Sequence, residues 1–314
     1  MNEKQADVLI VGAGVVGLSV AYYAASAGAR VVVLERGEIG AGCSSGNAGL
    51  IVPSFFEPLP GPGVIAEGLR HFFDQDGFFG MRMRPDPRFL FWLLRFARHC
   101  KRKDFHSSSE LFMRLNHEGV QVHRELARLG GGEYGFNQKG LLYLFLSGKR
   151  FVQGRERAAR AMESGFASEV FSGDEVRDAE PAAGRAVVGG IRFVTDAALD
   201  PAKFLEWLAR QAAAWGVQIM TETEVFDFQV GRNRVNSVLT TKGEFRGDQV
   251  VLAGGAWLPA LGRRLGVNLP VEGGKGISQT FSRPKMNVRQ PLMLDEHHVA
   301  VSPLSNALRI TGAL

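Results

Sequence analysis

The sequence predicts an α/β protein that opens with a Rossmann-like unit, and three features of its N-terminal segment carry that prediction. An apolar run ends at Val11, the glycines Gly12, Gly14 and Gly17 follow with GxGxxG spacing, and a second apolar run leads to Glu35. This order is typical of a dinucleotide-binding βαβ unit. We expect a tight turn at Gly12, close backbone approach to a pyrophosphate at Gly14, and close packing of helix on strand at Gly17.

The turn and the first helical turn form the predicted pyrophosphate site, because helix N-terminal N–H groups and the helix dipole favour an anion there. The residues of this site are Val11, Gly12, Ala13, Gly14, Val15, Val16 and Gly17. A membrane span over the same segment is disfavoured although no charge occurs between Asp7 and Arg30, because four glycines and two serines interrupt it. Glu35 is expected to accept hydrogen bonds from ribose hydroxyls.

Length and composition indicate a globular enzyme with two domains. The chain has 314 residues, 45% of them hydrophobic and 22% charged. Its net charge of +5 is mild and its basic residues are scattered, so nucleic acid is not expected as a partner. Neither the two cysteines, Cys43 and Cys100, nor the histidines have metal-ligand spacing, so no metal site is predicted. The cysteine usage favours a reducing, cytoplasmic compartment.

The chain after Glu35 begins with a loop of small and hydroxyl residues that runs to Ile51, and its donors suit a second phosphate or a flavin edge. Hydrophobic periodicity then predicts helices over 88–99, 109–129, 155–164 and 201–215, and strands over 141–146, 217–220, 224–228, 235–238 and 249–257. The strands at 217–220 and 249–257 are expected to be buried and parallel. The strands at 224–228 and 235–238 are expected to form a hairpin-like excursion.

Four features recur in this order in FAD-dependent amine oxidoreductases of the D-amino-acid oxidase superfamily, which this chain resembles over its whole length. They are the segment GAGVVGLS, the acid at Glu35, the loop at 43–49, and the late strand and turn VVLAGGAW. Three further segments are most similar to the bacterial D-amino-acid dehydrogenase branch (small subunit type). They are 58–64, 273–278 and the predicted helix at 88–99, which contains Phe91 and Trp92.

The resemblance implies a discontinuous Rossmann-like FAD-binding domain at 1–75 and 191–264, and an interleaved α+β substrate domain at 76–190 and 265–314. It implies that Glu35 and Arg36 hold the ribose region and that the backbone of Val225 flanks the adenine. The residues implied to line the path to the flavin, or to close over the cofactor, are Ser44, Ser45, Asn47, Ala48, Gly49, Leu50, Gly254, Gly255 and Trp257.

The activity that the resemblance implies is oxidative deamination of D-amino acids to 2-oxo acids and ammonia, with electrons passed to a quinone or another acceptor. Glycine, sarcosine or proline-type amines are alternative substrates. No catalytic acid or base is identified. Glycine-oxidase-like relatives anchor the substrate carboxylate with an arginine after a strand proline, where this chain has Leu304, so Arg309 is the substitute candidate.

Two further expectations concern the whole protein. The Phe-rich segment 55–96, which also suits core packing, predicts peripheral association with the inner face of the cell membrane. The sequence stops at Leu314 within a strand pattern, whereas relatives continue through a segment that covers the flavin ring. A truncated FAD-binding remnant without catalysis is therefore an alternative, and a flavoprotein that modifies RNA is disfavoured because the charge is scattered.

Overall fold

A computed structural model describes residues 5–66 and 85–312, which fold as two compact units. Unit 1 comprises Met1–Asn47 and Pro201–Gly274, and unit 2 comprises Ala48–Asp200 and Lys275–Leu314. The predicted domain boundary at 75/76 and the part of the Phe-rich segment at 67–84 lie outside the described residues.

The two units divide the chain at points that differ from the predicted domain boundaries. The divisions fall at 47/48, 200/201 and 274/275. Residues 48–54 join unit 2 because Leu50–Ile51 forms an antiparallel pair with Ala197–Ala198 and Ser54 hydrogen-bonds to Asp196. Whether one unit serves the cofactor and the other the substrate stays a prediction.

Within the described residues the helices and strands have the following bounds. The α-helices are α1 Val15–Ser26, α2 Pro87–His99, α3 Arg102–Leu129, α4 Gly148–Glu163, α5 Gly173–Ala179, α6 Pro201–Ala214 and α7 Leu258–Arg264. The strands are β1 Gln5–Val11, β2 Val31–Leu34, β3 Leu50–Ile51, β4 Leu141–Phe145, β5 Ser168–Ser172, β6 Gly189–Phe193, β7 Ala197–Ala198, β8 Gln218–Met220, β9 Val225–Val230, β10 Val235–Thr240, β11 Gly243–Leu252, β12 Ile277–Ser282, β13 Leu292–Leu294, β14 Val299–Leu304 and β15 Ala307–Gly312.

Unit 1 is built on a six-stranded sheet in the order β8-β2-β1-β11-β10-β9. The strands β8, β2, β1 and β11 are parallel, and β10 and β9 continue the sheet as an antiparallel hairpin, which confirms the predicted excursion. Every residue of β2 is buried, as expected for a parallel strand covered on both faces. The prediction that the strands at 217–220 and 249–257 are buried was wrong: in β8 Gln218 is exposed and the other two residues are half-buried at the edge of the sheet, and no residue of 249–257 is buried.

Unit 2 contains a seven-stranded sheet in the order β12-β15-β14-β13-β4-β6-β5, in which only β13 and β4 among these strands pair in parallel. Its interior strand β4, which lies between β13 and β6, is buried throughout. Tyr143 and Phe145 face one cluster with Ala158 of α4, whereas Leu142 and Leu144 face a second cluster around Val176 of α5. The mixed sheet covered by helices agrees with the predicted α+β architecture.

Two helices begin earlier than predicted. The long helix α3 starts at Arg102, not at Ser109, and ends before Gly130 as expected. Helix α4 starts at Gly148, not at Arg155, because the Ser147 hydroxyl accepts the Arg150 N–H and caps its first turn.

Candidate cofactor-binding site

The turn between β1 and α1 is shaped by Gly12. Its φ of 110° lies in the region that favours glycine, and its N–H donates to the Leu34 carbonyl at 2.8 Å. A Cβ at this position would lie 2.6 Å from the Ala253 carbonyl oxygen. The turn therefore fits between β2 and the segment after β11 only because residue 12 has no side chain.

Gly17 allows α1 to lie directly on this turn. A Cβ on Gly17 would lie 1.9 Å from the carbonyl oxygen of Gly12, which confirms the close approach predicted from the spacing. Gly14 is the N-cap of α1 and provides no side-chain cap, and the first turn of this described helix holds no acidic residue. Val16 in that turn is 61% exposed. This N-terminus suits an anionic group, because its backbone dipole is positive and no acidic side chain of the turn opposes it.

Glu35 directly follows β2 and binds the turn between β1 and α1. Its Oε2 accepts the Ala13 N–H at 2.7 Å, and its Oε1 accepts the Gly37 N–H at 3.0 Å. A carboxylate offers about four acceptor sites, so two hydrogen bonds leave capacity for a ribose hydroxyl. The predicted ribose acid thus also fixes the shape of the turn, a role that the sequence pattern did not indicate.

The serine and asparagine side chains of the following loop bind mainly to the loop itself. The Ser44 Oγ accepts the Val15 N–H at 3.1 Å, and a Cβ on Gly14 would lie 3.0 Å from it. Ser45 donates to the Gly40 carbonyl at 2.8 Å. Asn47 donates to the Ser44 carbonyl at 2.8 Å. These contacts bring Ser44 to the N-terminus of α1 and give the loop a fixed form.

Arg36 and Trp257 meet on the same side of unit 1. The guanidinium carbon lies 4.0 Å from the centre of the indole ring, in cation–π geometry. A Cβ on Gly42 would lie 3.4 Å from that ring, so the loop packs against it. Trp257 belongs to a short 3₁₀ helix with Gly255, whose φ is 53°. The Trp257 N–H donates to the Gly254 carbonyl at 3.0 Å.

Val225 is the first residue of β9 and pairs with Thr240. It is half-buried beside a cluster that includes Leu34. Two residues before it, Thr223 is buried and its N–H donates to the Glu35 carbonyl at 2.7 Å. The segment that leads to Val225 is therefore hydrogen-bonded to Glu35, directly after β2.

Ala48, Gly49 and Leu50 belong to unit 2, where each is fixed by a contact. The Ala48 carbonyl accepts the Ser302 hydroxyl at 2.7 Å, the Gly49 carbonyl accepts the Leu199 N–H at 2.9 Å, and Leu50 pairs with Ala198 in β3 and β7.

Arg309, the candidate substrate residue, lies on β15 of unit 2. It stands opposite Ser302 of β14 and opposite Thr280 of β12, and its Nε donates to the Thr280 Oγ1 at 3.0 Å. Side chains directly opposite each other on antiparallel strands share a face of the sheet. Arg309 therefore lies on the same face as the Ser302 hydroxyl that binds Ala48.

Sequence reasoning missed a buried carboxyl group, Asp196. It is fully buried, and it accepts the Ser54 hydroxyl at 2.8 Å and the Ser54 N–H at 3.2 Å. Burial raises the pKa of Asp196 to about 7, and the hydrogen bonds from Ser54 offset part of that rise. No spacing signal pointed to this residue, because its partner is distant in sequence.

A second missed group surrounds Tyr143 in unit 2. The Arg157 guanidinium lies 4.8 Å from the centre of the Tyr143 ring, and it donates to Asp295 at 2.8 Å. Burial raises the pKa of the Tyr143 hydroxyl, and burial beside Arg150 and Arg157 lowers the pKa of His298, although Asp295 acts in the opposite sense.

The sequence is similar to those of FAD-dependent oxidoreductases. The sequence model of the DAO family, described as FAD dependent oxidoreductase, matches residues 7–313. D-amino acid dehydrogenase 2 of Mesorhizobium japonicum is 33% identical over 279 residues, which is 87% of this chain and 67% of that protein. The D-amino acid dehydrogenase of Cereibacter sphaeroides is 34% identical over 317 residues, which is 97% of this chain and 71% of that protein.

Solved structures show the same fold. Glycine oxidase from Geobacillus kaustophilus has a TM-score of 0.72 at 24% identity, covering 99% of this chain and 71% of its own. L-proline dehydrogenase from P. horikoshii has a TM-score of 0.68 at 18% identity, covering 99% and 70%. The family model spans nearly the whole chain, and the glycine-lined turn beside Glu35 has the form that an adenine dinucleotide requires. The chain belongs to the DAO family of FAD-dependent oxidoreductases and uses FAD as its cofactor.

Proposed function

We propose that the protein catalyses the oxidative deamination of D-amino acids to 2-oxo acids and ammonia. One observation carries this proposal: the chain is 34% identical, over 97% of its length, to a protein named D-amino acid dehydrogenase. When bound, FAD supplies the two-electron oxidation of the bond between the substrate Cα and its nitrogen. The overall conversion takes the D-amino acid, water and an oxidised two-electron acceptor to the 2-oxo acid, ammonia and the reduced acceptor.

The residues of unit 1 are proposed to hold the adenine half of the cofactor. Pyrophosphate would meet the N–H groups of the β1–α1 turn, where a side chain at Gly12 or Gly17 has no room. Glu35 would accept from the ribose, Arg36 and Trp257 would cover this region, and the backbone of Val225 would flank the adenine. The remaining cofactor residues of this proposal are Ser44, Ser45, Asn47, Gly254 and Gly255 in unit 1, and Ala48, Gly49 and Leu50 in unit 2.

We propose Arg309 as the residue that anchors the substrate carboxylate. A guanidinium recognises a carboxylate with a planar pair of donors. Support comes from the register of β14 and β15, which places Arg309 opposite Ser302, whose hydroxyl binds the Ala48 carbonyl at 2.7 Å. The proposed anchor and the segment proposed to face the flavin therefore lie on one face of one sheet.

The test combines flavin content with turnover of a substrate panel. Purified protein should carry FAD and reduce an artificial dye with D-alanine and other D-amino acids, but not with their L-enantiomers. Arg309→Met should raise KM at least tenfold, because about 1.5–3 kcal/mol of charge-assisted hydrogen bonding is lost. Arg234→Met, on an exposed turn, should leave KM unchanged. Preference for glycine, sarcosine or proline would overturn the substrate assignment, and flavin without turnover would mark a remnant that only binds FAD.

We also propose that the protein is cytoplasmic, docks on the inner face of the cell membrane and passes its electrons to a quinone there. None of the helices in the described part of the chain is long and apolar enough to cross a membrane. The outer face of α2 supports docking, because Phe91 is 55% exposed and Leu94 is 66% exposed. The same face carries basic side chains suited to anionic lipid, Arg88, Arg95 and Arg98.

Vesicle sedimentation tests the docking proposal. Vesicles with anionic lipid should bind the protein, neutral vesicles should not, and ubiquinone in the anionic vesicles should be reduced with D-alanine. Leu94→Glu should weaken sedimentation about tenfold, because an apolar contact is lost and an anionic one is added. Val170→Glu, a matched change at an exposed residue of β5, should have no effect. Equal binding to neutral vesicles, or equal loss in both variants, would refute the role of α2.

A further inference from the structure

The segment from Ala48 to Ser54 follows directly after the cofactor loop and is fixed in unit 2 at both of its ends. At its start, the Ala48 carbonyl accepts the Ser302 hydroxyl, and Ser302 is buried. In its middle, β3 pairs with β7. At its end, Ser54 donates both its hydroxyl and its backbone N–H to Asp196. Contacts at three successive places therefore determine where this stretch of backbone lies.

The contact between Ser54 and Asp196 involves a fully buried carboxyl group. Burial of such a group is unfavourable unless its oxygens are hydrogen-bonded. Both oxygens are used by a single partner: Oδ1 accepts from the Ser54 backbone and Oδ2 accepts from the Ser54 hydroxyl. The two residues are 142 positions apart in sequence, so neither contact is part of a local turn.

The backbone of Asp196 is itself fixed, so the carboxyl group projects from a defined point. Its N–H donates to the Phe193 carbonyl at 3.2 Å, and its carbonyl accepts the Gly140 N–H at 3.1 Å. A Cβ on Gly140 would lie 2.8 Å from the Phe193 carbonyl oxygen, so this crossing needs glycine. Asp196 thus connects the end of β6, the start of β4 and the segment that leads back to Ala48.

Charged side chains also lie near the contact between Asp196 and Ser54. Tyr143 of β4 lies within electrostatic range of Asp196, and Tyr143 in turn contacts Arg157, which is paired with Asp295. Leu50 and Val52, which lie between the two ends of the segment, pack against the same cluster as Tyr143. The segment therefore rests on one sheet face, with apolar contacts in its middle and polar contacts at its ends.

We infer that Asp196, acting through Ser54, is a positioning residue that fixes the backbone of Ala48, Gly49 and Leu50 for the bound cofactor. The inference rests on the proposed function, in which these three residues face the flavin. Asp196 touches neither substrate nor cofactor in this scheme. Its role is to hold the end of a short segment whose other end is bound by Ser302.

Hydrogen–deuterium exchange on the cofactor-free protein tests the anchor directly. Asp196→Asn and Ser54→Ala should each raise the exchange rate of amides in residues 48–54 about tenfold, because a hydrogen bond to an acidic side chain is lost or weakened. Exchange in β1 and α1 should not change. Glu180→Gln, which alters another buried carboxyl group of unit 2 that accepts a backbone N–H, should leave residues 48–54 as protected as in the parent.

The second readout is the flavin itself, in the FAD-loaded proteins. Both anchor variants should weaken FAD binding about tenfold and shift the flavin absorption bands or the reduction potential, whereas Glu180→Gln should not. Unchanged exchange at 48–54 in both anchor variants would overturn the inference, and Ser54→Ala decides the matter if Asp196→Asn does not fold. If the parent protein binds no FAD, the proposed function fails, while the exchange result still judges the anchor.

Discussion

Replacing Asp196 with asparagine tests how much of the pH dependence of stability comes from one buried carboxyl group. Burial raises the pKa of Asp196 to about 7, from an ordinary value of 3.8, and Ser54 offsets part of this rise. Between these two values the unfolded chain has lost the proton while the folded chain retains it. Stability is therefore greatest below the lower value, falls as pH rises through the window, and stays at its reduced level above the upper value.

The size of the effect follows from the width of the window. One pKa unit corresponds to about 1.4 kcal/mol, so the full window is worth about 4 kcal/mol. Part of it lies at low pH, where many other groups titrate. Between about pH 5 and about pH 8, ionisation of Asp196 should lower the free energy of unfolding by roughly 2.6 kcal/mol.

Urea unfolding at these two pH values, followed by circular dichroism, measures the effect. Asp196→Asn cannot ionise, so the stability difference between parent and variant should change by roughly 2.6 kcal/mol in the variant's favour as pH rises. Other titrating groups are common to both proteins and cancel in this difference. Ser54→Ala should move the upper end of the window upward, because the hydroxyl hydrogen bond that lowers the pKa of Asp196 is removed.

Asp7→Asn provides a control with the opposite sign. Hydrogen bonds from Arg30 hold the pKa of Asp7 below its ordinary value. Its contribution is therefore present at higher pH and is lost only under acid conditions below the tested range. The difference between parent and Asp7→Asn should be the same at both pH values. If the parent and Asp196→Asn also differ by a constant amount, Asp196 is ionised in the folded protein and the burial argument is wrong.

Three further changes test other parts of the molecule. Gly17→Ala places a Cβ 1.9 Å from a backbone carbonyl oxygen. The resulting overpacking of about 1–3 kcal/mol should reduce bound FAD at least tenfold. Gly119→Ala, with open space around it, should retain full flavin content. Arg157→Met leaves the buried carboxyl of Asp295 without its cation and should lower the free energy of unfolding by about 2 kcal/mol; an unchanged urea midpoint would show that the pair contributes nothing. Trp257→Ala removes the ring on which a guanidinium stacks and should weaken FAD binding about fivefold by calorimetric titration, while Trp257→Phe should retain most of the affinity.

The βαβ unit could be predicted because each of its parts is encoded within a few residues. The turn at Gly12 and the helix contact at Gly17 depend on local spacing, and the structure places them as that spacing predicts. Glu35 follows β2 as expected, although its hydrogen bond with Ala13 was not indicated. The end of α3 at Gly130 was predictable for the same reason. Local backbone requirements leave a direct mark on the sequence.

The contacts that could not be predicted join positions far apart in the chain. Ser54 and Asp196 are separated by 142 residues, and neither carries a motif. The end of β4 also depends on a distant residue, because Glu296 accepts the N–H groups of Leu146 and Ser147 and so directs the chain out of the sheet before α4. Tertiary hydrogen bonds of this kind decide where elements begin and end, and single-sequence periodicity does not contain them.

The register between β14 and β15 determines which face of the sheet carries the proposed carboxylate anchor. Because side chains alternate along a strand, Leu308 lies in the apolar cluster on one face while Arg309 and its partner Ser302 lie on the other. A slip of one residue in β15 would expose Leu308 and move Arg309 into that cluster, so Arg309 would no longer stand opposite Ser302. Burial of Leu308 therefore opposes the slip, and this apolar contact keeps the proposed carboxylate anchor on the sheet face where Ser302 binds the start of the segment that Asp196 holds at its other end.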